Sequence, residues 1–223
     1  MAVVFSLGES HFAYEPGQHV SLVVPGPLND PRGSNRIFTL SSSPTEEGIL
    51  SITTRDSGSP FKQRLLHDPA EGLEVEVRGP LGSFFLDTER PAVLLTGGIG
   101  ITPFRSMVRA AADRGFKAPV VLLYSNRWVE EIVFHSELDE IAAEHDLFTV
   151  DYTVTRPDES KAHWEGRRKR IDAFWIEEKA SNLINPRFYV CGPPAMVHEL
   201  NAVLAYQIGV PDDDILSEEF EGY

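Results

Sequence analysis

Thr96-Gly97-Gly98-Ile99-Gly100-Ile101-Thr102-Pro103 combines the residue types that let a phosphate meet bare backbone. Paired glycines tolerate positive φ and leave no side chain in a ligand's way. An apolar run at 92–95 precedes them and a helical pattern over 104–114 follows, with Pro103 suited to a first helical turn. The free amides and positive dipole end of such a helix face back to the turn and favour an anion there. The spacing is not the dinucleotide fingerprint, because GxGxxG from Gly97 requires glycine where the chain has Ile99 and Thr102. A strand-turn-helix without ligand satisfies the same pattern, so the remaining motifs decide.

In Arg36-Ile37-Phe38-Thr39-Leu40-Ser41-Ser42, a strand places Arg36, Phe38, Leu40 and Ser42 on one face. An arginine beside an aromatic suits a phosphate next to a planar ring, and Thr39 offers an amide and a hydroxyl at that ring's edge. In Gly58-Ser59-Pro60-Phe61-Lys62, Ser59 reads as an N-cap and Pro60 as the first helical residue, and Lys62 adds a cation, which makes a second anion site. Cys191 ends an apolar run before Gly192-Pro193-Pro194; no base nearby in sequence would make it a covalent nucleophile, and a buried inert thiol is the alternative. The tail carries Glu219, Phe220 and Tyr223, for which fraying is the alternative.

The elements that must position these groups fall into two textures. Residues 1–87 hold short apolar runs broken by Pro and Gly, which predicts an antiparallel barrel or sandwich with strands at 19–24, 36–42, 49–55, 74–78 and 84–86, and a helix over 61–67. After residue 90, strands at 92–96, 120–124, 149–155 and 187–191 alternate with helices at 103–114, 129–144, 170–180 and 194–208, the pattern of a parallel sheet covered on both faces. Ligands bind beyond the carboxyl ends of such strands. Thr96-Gly97, Ser125-Asn126-Arg127, Thr155-Arg156 and Cys191-Gly192 therefore line one crevice. The strand ending in Ser125-Asn126-Arg127 has no acid at its tip, which favours NADPH over NADH; Arg127 and Arg156 as plain surface cations are the alternative, and Glu130 stays open as a partner for a ribose hydroxyl.

Composition narrows the class. A chain of 223 residues accommodates two modest domains. A net charge of −14 argues against general nucleic-acid binding. No apolar run approaches a membrane span and no signal peptide is visible, so a cytoplasmic protein is expected. With one cysteine, no internal disulfide forms and no four-cysteine iron–sulfur cluster is held. Residues 161–170 hold five of the twenty basic side chains, which read as a solvated loop, a docking patch or a phosphate contact.

Pro16-Gly17-Gln18, Arg36-x-Phe38-Thr39-x-Ser41-Ser42, Gly58 to Lys62, Gly79-Pro80-Leu81-Gly82, Thr96-Gly97-Gly98-x-Gly100-x-Thr102-Pro103 and Cys191-Gly192-Pro193-Pro194 occur in one order across nearly the whole chain. In this the sequence resembles the ferredoxin–NADP reductase family. The resemblance implies an FAD-binding antiparallel β-barrel over 1–89 and an NAD(P)-binding α/β parallel sheet over 90–223. Arg36 would hold the FAD pyrophosphate, Phe38 cover the isoalloxazine and Thr39 lie near flavin N5. Leu40, Ser41, Ile52, Thr54, Gly58, Ser59, Pro60, Phe61 and Lys62 would complete that site, with Phe220 or Tyr223 against the ring. Thr96, Gly97, Gly98, Gly100, Thr102, Pro103, Ser125, Arg127, Thr155, Arg156, Cys191, Gly192 and Pro193 would take the nicotinamide nucleotide. Thr39, Cys191 and Glu219 would be catalytic, with Cys191 beside the nicotinamide C4.

Two departures stand out. The family more often has Tyr-Ser at 38 and 39, and only four residues precede Phe5, so the first barrel strand is short or missing, or the chain is a fragment. A barrel so opened exposes an edge that recruits partners. The implied activity is hydride transfer from NAD(P)H to FAD, then electron transfer to an external acceptor such as ferredoxin, flavodoxin or a haem protein. An electron-transfer subunit of a larger complex, or a nucleotide-binding regulator without turnover, are the alternatives.

Overall fold

A computed structural model describes residues 1–67 and 73–220. In the first half, β1 (Ala2–Ser6), β2 (His19–Val23), β3 (Asn35–Thr39), β4 (Ile49–Thr53), α1 (Pro60–Leu66) and β5 (Glu76–Leu81) follow in order. Antiparallel β1 and β4 form one sheet and β3-β2-β5 another, and the Leu40–Ile52 bridge joins them into an antiparallel barrel wall. β1 pairs along its length with β4, from Ala2 opposite Thr53 to Ser6 opposite Ile49. Alternation explains the core: Val20, Leu22, Leu40, Leu50 and Ile52 turn inward and meet Phe61 and Leu65 of α1.

The second half contains β6 (Ala92–Gly97), α2 (Ile101–Arg114), β7 (Val120–Asn126), α3 (His135–Glu144), β8 (Phe148–Val154), α4 (Ala173–Ala180), β9 (Arg187–Gly192), α5 (Pro194–Ala202) and β10 (Ile215–Glu219). Its sheet is parallel in the order β10-β9-β6-β7-β8. The two faces divide by residue parity. Leu94, Leu122, Tyr124, Tyr189 and Cys191 pack under α2 and α3, whereas Val93, Leu95, Leu123 and Val190 pack under α4 and α5. Each fully buried Leu or Val contributes roughly 1.5–3 kcal/mol, which is why these runs read as continuous apolar strands.

Several expected boundaries differ. Residues 84–86 form no strand, because Phe84 turns into the core of the second half against Phe104 and Tyr189. The helix expected over 129–144 is divided into a tight turn at Val129–Glu131 and α3, with Phe134 left-handed between them. Asp172 caps α4 through the Trp175 amide, so that helix starts at 173 rather than 170. The helical run after Pro194 continues as a π-turn at Val203–Ile208. β10 was not expected as a strand; Ile215–Glu219 becomes one by pairing with β9. Tyr223 lies outside the described residues.

Candidate active site

The parallel strands end in a cleft of about 250 Å³ whose lining includes Gly97, Gly98, Ser125, Arg127, Thr155 and Pro193. Backbone bonds hold the strand tips together: the Thr155 amide donates to Asn126 O at 2.9 Å and the Arg156 amide to Arg127 O at 2.8 Å. Glycine is required at the turn. A Cβ on Gly97 would stand 2.5 Å from Met196 Sδ, and one on Gly100 2.5 Å from the Cys191 carbonyl oxygen. Gly98 has φ +56° and lies beneath the Arg55 guanidinium. Thr96 Oγ1 donates to the Cys191 carbonyl at 2.9 Å, and Thr102 Oγ1 donates to Ile99 O at 3.2 Å. Pro103 lies in the first turn of α2.

In the first half, Arg36, Phe38, Phe61 and Lys62 come together. The Arg36 guanidinium sits 5.1 Å from the Phe61 ring centre, and the Phe38 and Phe61 rings are 6.0 Å apart. Arg36 Nη2 pairs with Asp30 Oδ2 at 2.6 Å, while its buried Nε completes no hydrogen bond. Backbone amides of Arg32 and Phe61, then the Arg36 charge, hold the Asp30 carboxyl below the usual range. Ser59 caps α1 by accepting from the Lys62 amide, after Gly58 turns the chain with φ +69°. Burial and then the Arg32 charge lower the Lys62 ammonium pKa. An unpartnered guanidinium nitrogen, a cation and a capped helix start fit an anionic group such as a cofactor pyrophosphate.

The other residues expected near the flavin serve the barrel interior. Leu40 and Ile52 are buried opposite each other. Ser41 Oγ lies 3.0 Å from both Ser51 Oγ and Thr53 Oγ1, and the Thr54 amide donates to Met1 O.

Across the seam, pairings connect Thr39 to Cys191. Thr39 stands opposite His19 in the barrel, His19 Nδ1 lies 3.6 Å from Glu218 Oε1, and Glu218 stands opposite Cys191. Cys191 is fully buried, and burial followed by the Glu218 charge raises its thiol well above the usual range. Glu219 points the other way, 3.5 Å from His198 Nε2. The Phe220 amide donates to Gly192 O at 3.0 Å, and its ring packs on the core that includes Cys191.

Sequence reasoning missed Arg55, Glu131, Met196 and Glu218, whereas Asn126 and Arg170, both on the cleft wall, fall in stretches it singled out. Arg55 reaches from the barrel to pair with Glu131 at 3.2 Å, an encounter with no local sequence signal. Glu130 is already engaged: its own amide, then those of Ala162 and Lys161, lower its pKa. In the basic loop, Arg167, Arg168 and Arg170 are paired with Asp172, Asp158 and Glu199.

An antiparallel barrel followed by a parallel α/β sheet with a glycine turn at the end of its middle strand is the two-domain arrangement of a nicotinamide-nucleotide oxidoreductase. Residues 94–201 match the oxidoreductase NAD-binding domain family. Ferredoxin–NADP reductase B of Sorangium cellulosum is 29% identical, covering 94% of this chain and 86% of that protein. The ferredoxin reductase component of a 3-ketosteroid-9-alpha-monooxygenase from Mycolicibacterium smegmatis is 33% identical over 93% of this chain and 56% of its own length. A cytochrome P450 reductase of Amycolatopsis superposes with a TM-score of 0.79 at 28% identity, covering 98% of this chain and 64% of that one. Over most of its length the chain is similar to ferredoxin–NADP reductases and to reductase components of oxygenases, and it spans little more than half the length of several of these relatives.

Proposed function

We propose that the barrel half binds FAD and the parallel-sheet half binds NADPH, and that electrons leave to a separate protein acceptor. Bound flavin supplies hydride acceptance and one-electron release, while the protein positions and tunes it. Arg36, Lys62 and the start of α1 hold the FAD pyrophosphate, with Phe38 beside the ring system and Thr39 at its reacting edge. Thr96 to Pro103 hold the nucleotide pyrophosphate. Arg127 and Arg156 meet the 2′-phosphate, a reading supported by the commitment of Glu130 to backbone amides. Cys191 fixes the depth of the nicotinamide, and Phe220 covers that place until the nucleotide arrives. Glu218, facing Cys191 and His19, is the carboxylate nearest the reaction. The observation that carries this reading is the run of pairings from Thr39 through His19 and Glu218 to Cys191, which joins the two half-sites.

The segment from Phe84 onward is already anchored to the second half, which favours a division a few residues before 89. Asp87 pairs with Arg187 at 3.2 Å, and Arg90 with Asp214 at 2.9 Å. Relatives named as reductase components of oxygenases support a protein acceptor, while the pairing of Arg167, Arg168 and Arg170 weakens the basic loop as its docking patch. No helix among the described residues is long and apolar enough to cross a membrane, in keeping with a cytoplasmic enzyme.

An anaerobic absorption spectrum tests the reading. A flavin spectrum bleached faster by NADPH than by NADH is expected. Protein that stays colourless after soaking with FAD overturns it, and faster bleaching by NADH overturns the nucleotide assignment.

A further inference from the structure

We propose that Tyr124 is a positioning residue for the dinucleotide pyrophosphate, its hydroxyl fixing the Gly98–Ile99 peptide so that the Ile99 amide faces the cleft. The inference rests on the nucleotide reading above and adds a residue that no motif marks.

Tyr124 is the fifth residue of β7 and is fully buried. Its neighbours on that face are Leu94, Leu122 and Tyr152, among which a phenylalanine would fill the same space. A phenol placed there loses its hydration and must find partners inside the protein. It finds three. The hydroxyl donates to the Gly98 carbonyl at 2.9 Å, the Asn126 side chain lies beside it, and the Val133 amide faces it from the segment that carries Glu131.

The first contact has a geometric consequence. A trans peptide is planar, so a carbonyl turned down toward Tyr124 turns the following amide to the opposite side, away from the core. Gly98 is left-handed, and the tight turn Gly98–Gly100 follows it directly. Successive amides in such a conformation form an anion-binding concavity, and those opening a helical turn have no partner within it. Burial holds the hydroxyl protonated far above the usual tyrosine range, so this donor does not change across working pH. Asn126, at the tip of the same strand and on the wall of the same cleft, is 4% exposed and faces the Tyr124 hydroxyl, so the phenol ties the glycine turn to the end of β7.

The test compares wild type with Tyr124→Phe, both loaded with FAD. Calorimetric titration with ADP-ribose, which carries the pyrophosphate but no nicotinamide, should show affinity falling about tenfold, the worth of one hydrogen bond that orders a charged contact. KM for NADPH and for NADH should rise by that same factor, with kcat within about twofold, because the pyrophosphate is common to both. Flavin content and melting temperature report that the variant is folded. Unchanged ADP-ribose affinity in folded Tyr124→Phe overturns the inference. So does a fall in kcat at constant KM, or a change confined to one nucleotide. Wild type that does not bind ADP-ribose fails the nucleotide reading itself, a separate result.

Discussion

Ser106 Oγ donates to the Ser42 carbonyl at 2.6 Å, so a helix of the second half holds the backbone of the first. One residue earlier, Arg105 extends the grip. Its Nη1 donates to the Ser41 carbonyl at 3.0 Å, and the guanidinium pairs with Glu46 of the barrel and Glu137 of α3. With 11% of its side chain exposed, Arg105 neutralises two carboxylates that would otherwise face each other. Arg105→Ala should lower unfolding free energy in urea by about 3 kcal/mol, the cost typical of breaking a partly buried pair. A double-mutant cycle with Glu46→Ala should return a coupling of roughly 1–3 kcal/mol. Additive losses would show that the contact carries no stability.

Arg36 is expected to decide flavin retention. Arg36→Ala should weaken FAD binding at least about tenfold, since charge-assisted hydrogen bonds are worth roughly 1.5–3 kcal/mol. Asp30 would also lose its cation, so Arg36→Lys, which retains the charge, separates flavin affinity from folding. Equal flavin content in wild type and Arg36→Ala removes the assignment.

Arg156, proposed above as a partner of the 2′-phosphate, is 54% exposed and 3.6 Å from Glu159, free to turn at little cost. Steady-state kinetics of Arg156→Ala should show KM for NADPH rising about tenfold more than KM for NADH. Equal changes would place Arg156 outside the nucleotide site.

For Glu218 and Glu219, stopped-flow reduction discriminates. Glu218→Gln should slow hydride transfer at saturating nucleotide at least about tenfold more than Glu219→Gln, because only Glu218 stands over Cys191 and His19. The reverse order would return the role to Glu219.

Cys191 gives a pH prediction with a definite sign. Burial raises the folded thiol above its unfolded value near 8.5, so above about pH 8.5 the unfolded chain loses a proton that the folded chain keeps. This contribution to stability is complete below the unfolded pKa and declines as pH rises, by up to about 1.4 kcal/mol per unit. Urea unfolding at pH 8 and 10 should show a smaller decline for Cys191→Ala than for wild type. Parallel declines would exclude the thiol.

How much the sequence discloses depends on whether a signal is local. The apolar run before Gly97 and the Ser59–Pro60 helix start are local, and both elements form where expected. β10 is not: Ile215–Glu219 carries two acids and becomes a strand only because β9 offers an edge. Its alternation then decides which glutamate faces Cys191, and that cannot be read from the spacing of Glu219 and Phe220 alone. Tyr124 and Arg55 were illegible for the same reason, since a buried phenol and a strand-end arginine acquire meaning from a turn and an acid distant in sequence.

The contacts of α2 with residues 41 and 42 bear on recombination between relatives. Ser106 and Arg105 both reach main-chain oxygens there, which every sequence supplies. A chimera that exchanges barrels between such relatives should keep these two bonds whatever side chains it imports, provided the chain follows the same path. Glu46 is the exception, and would have to travel with the helix that carries Arg105.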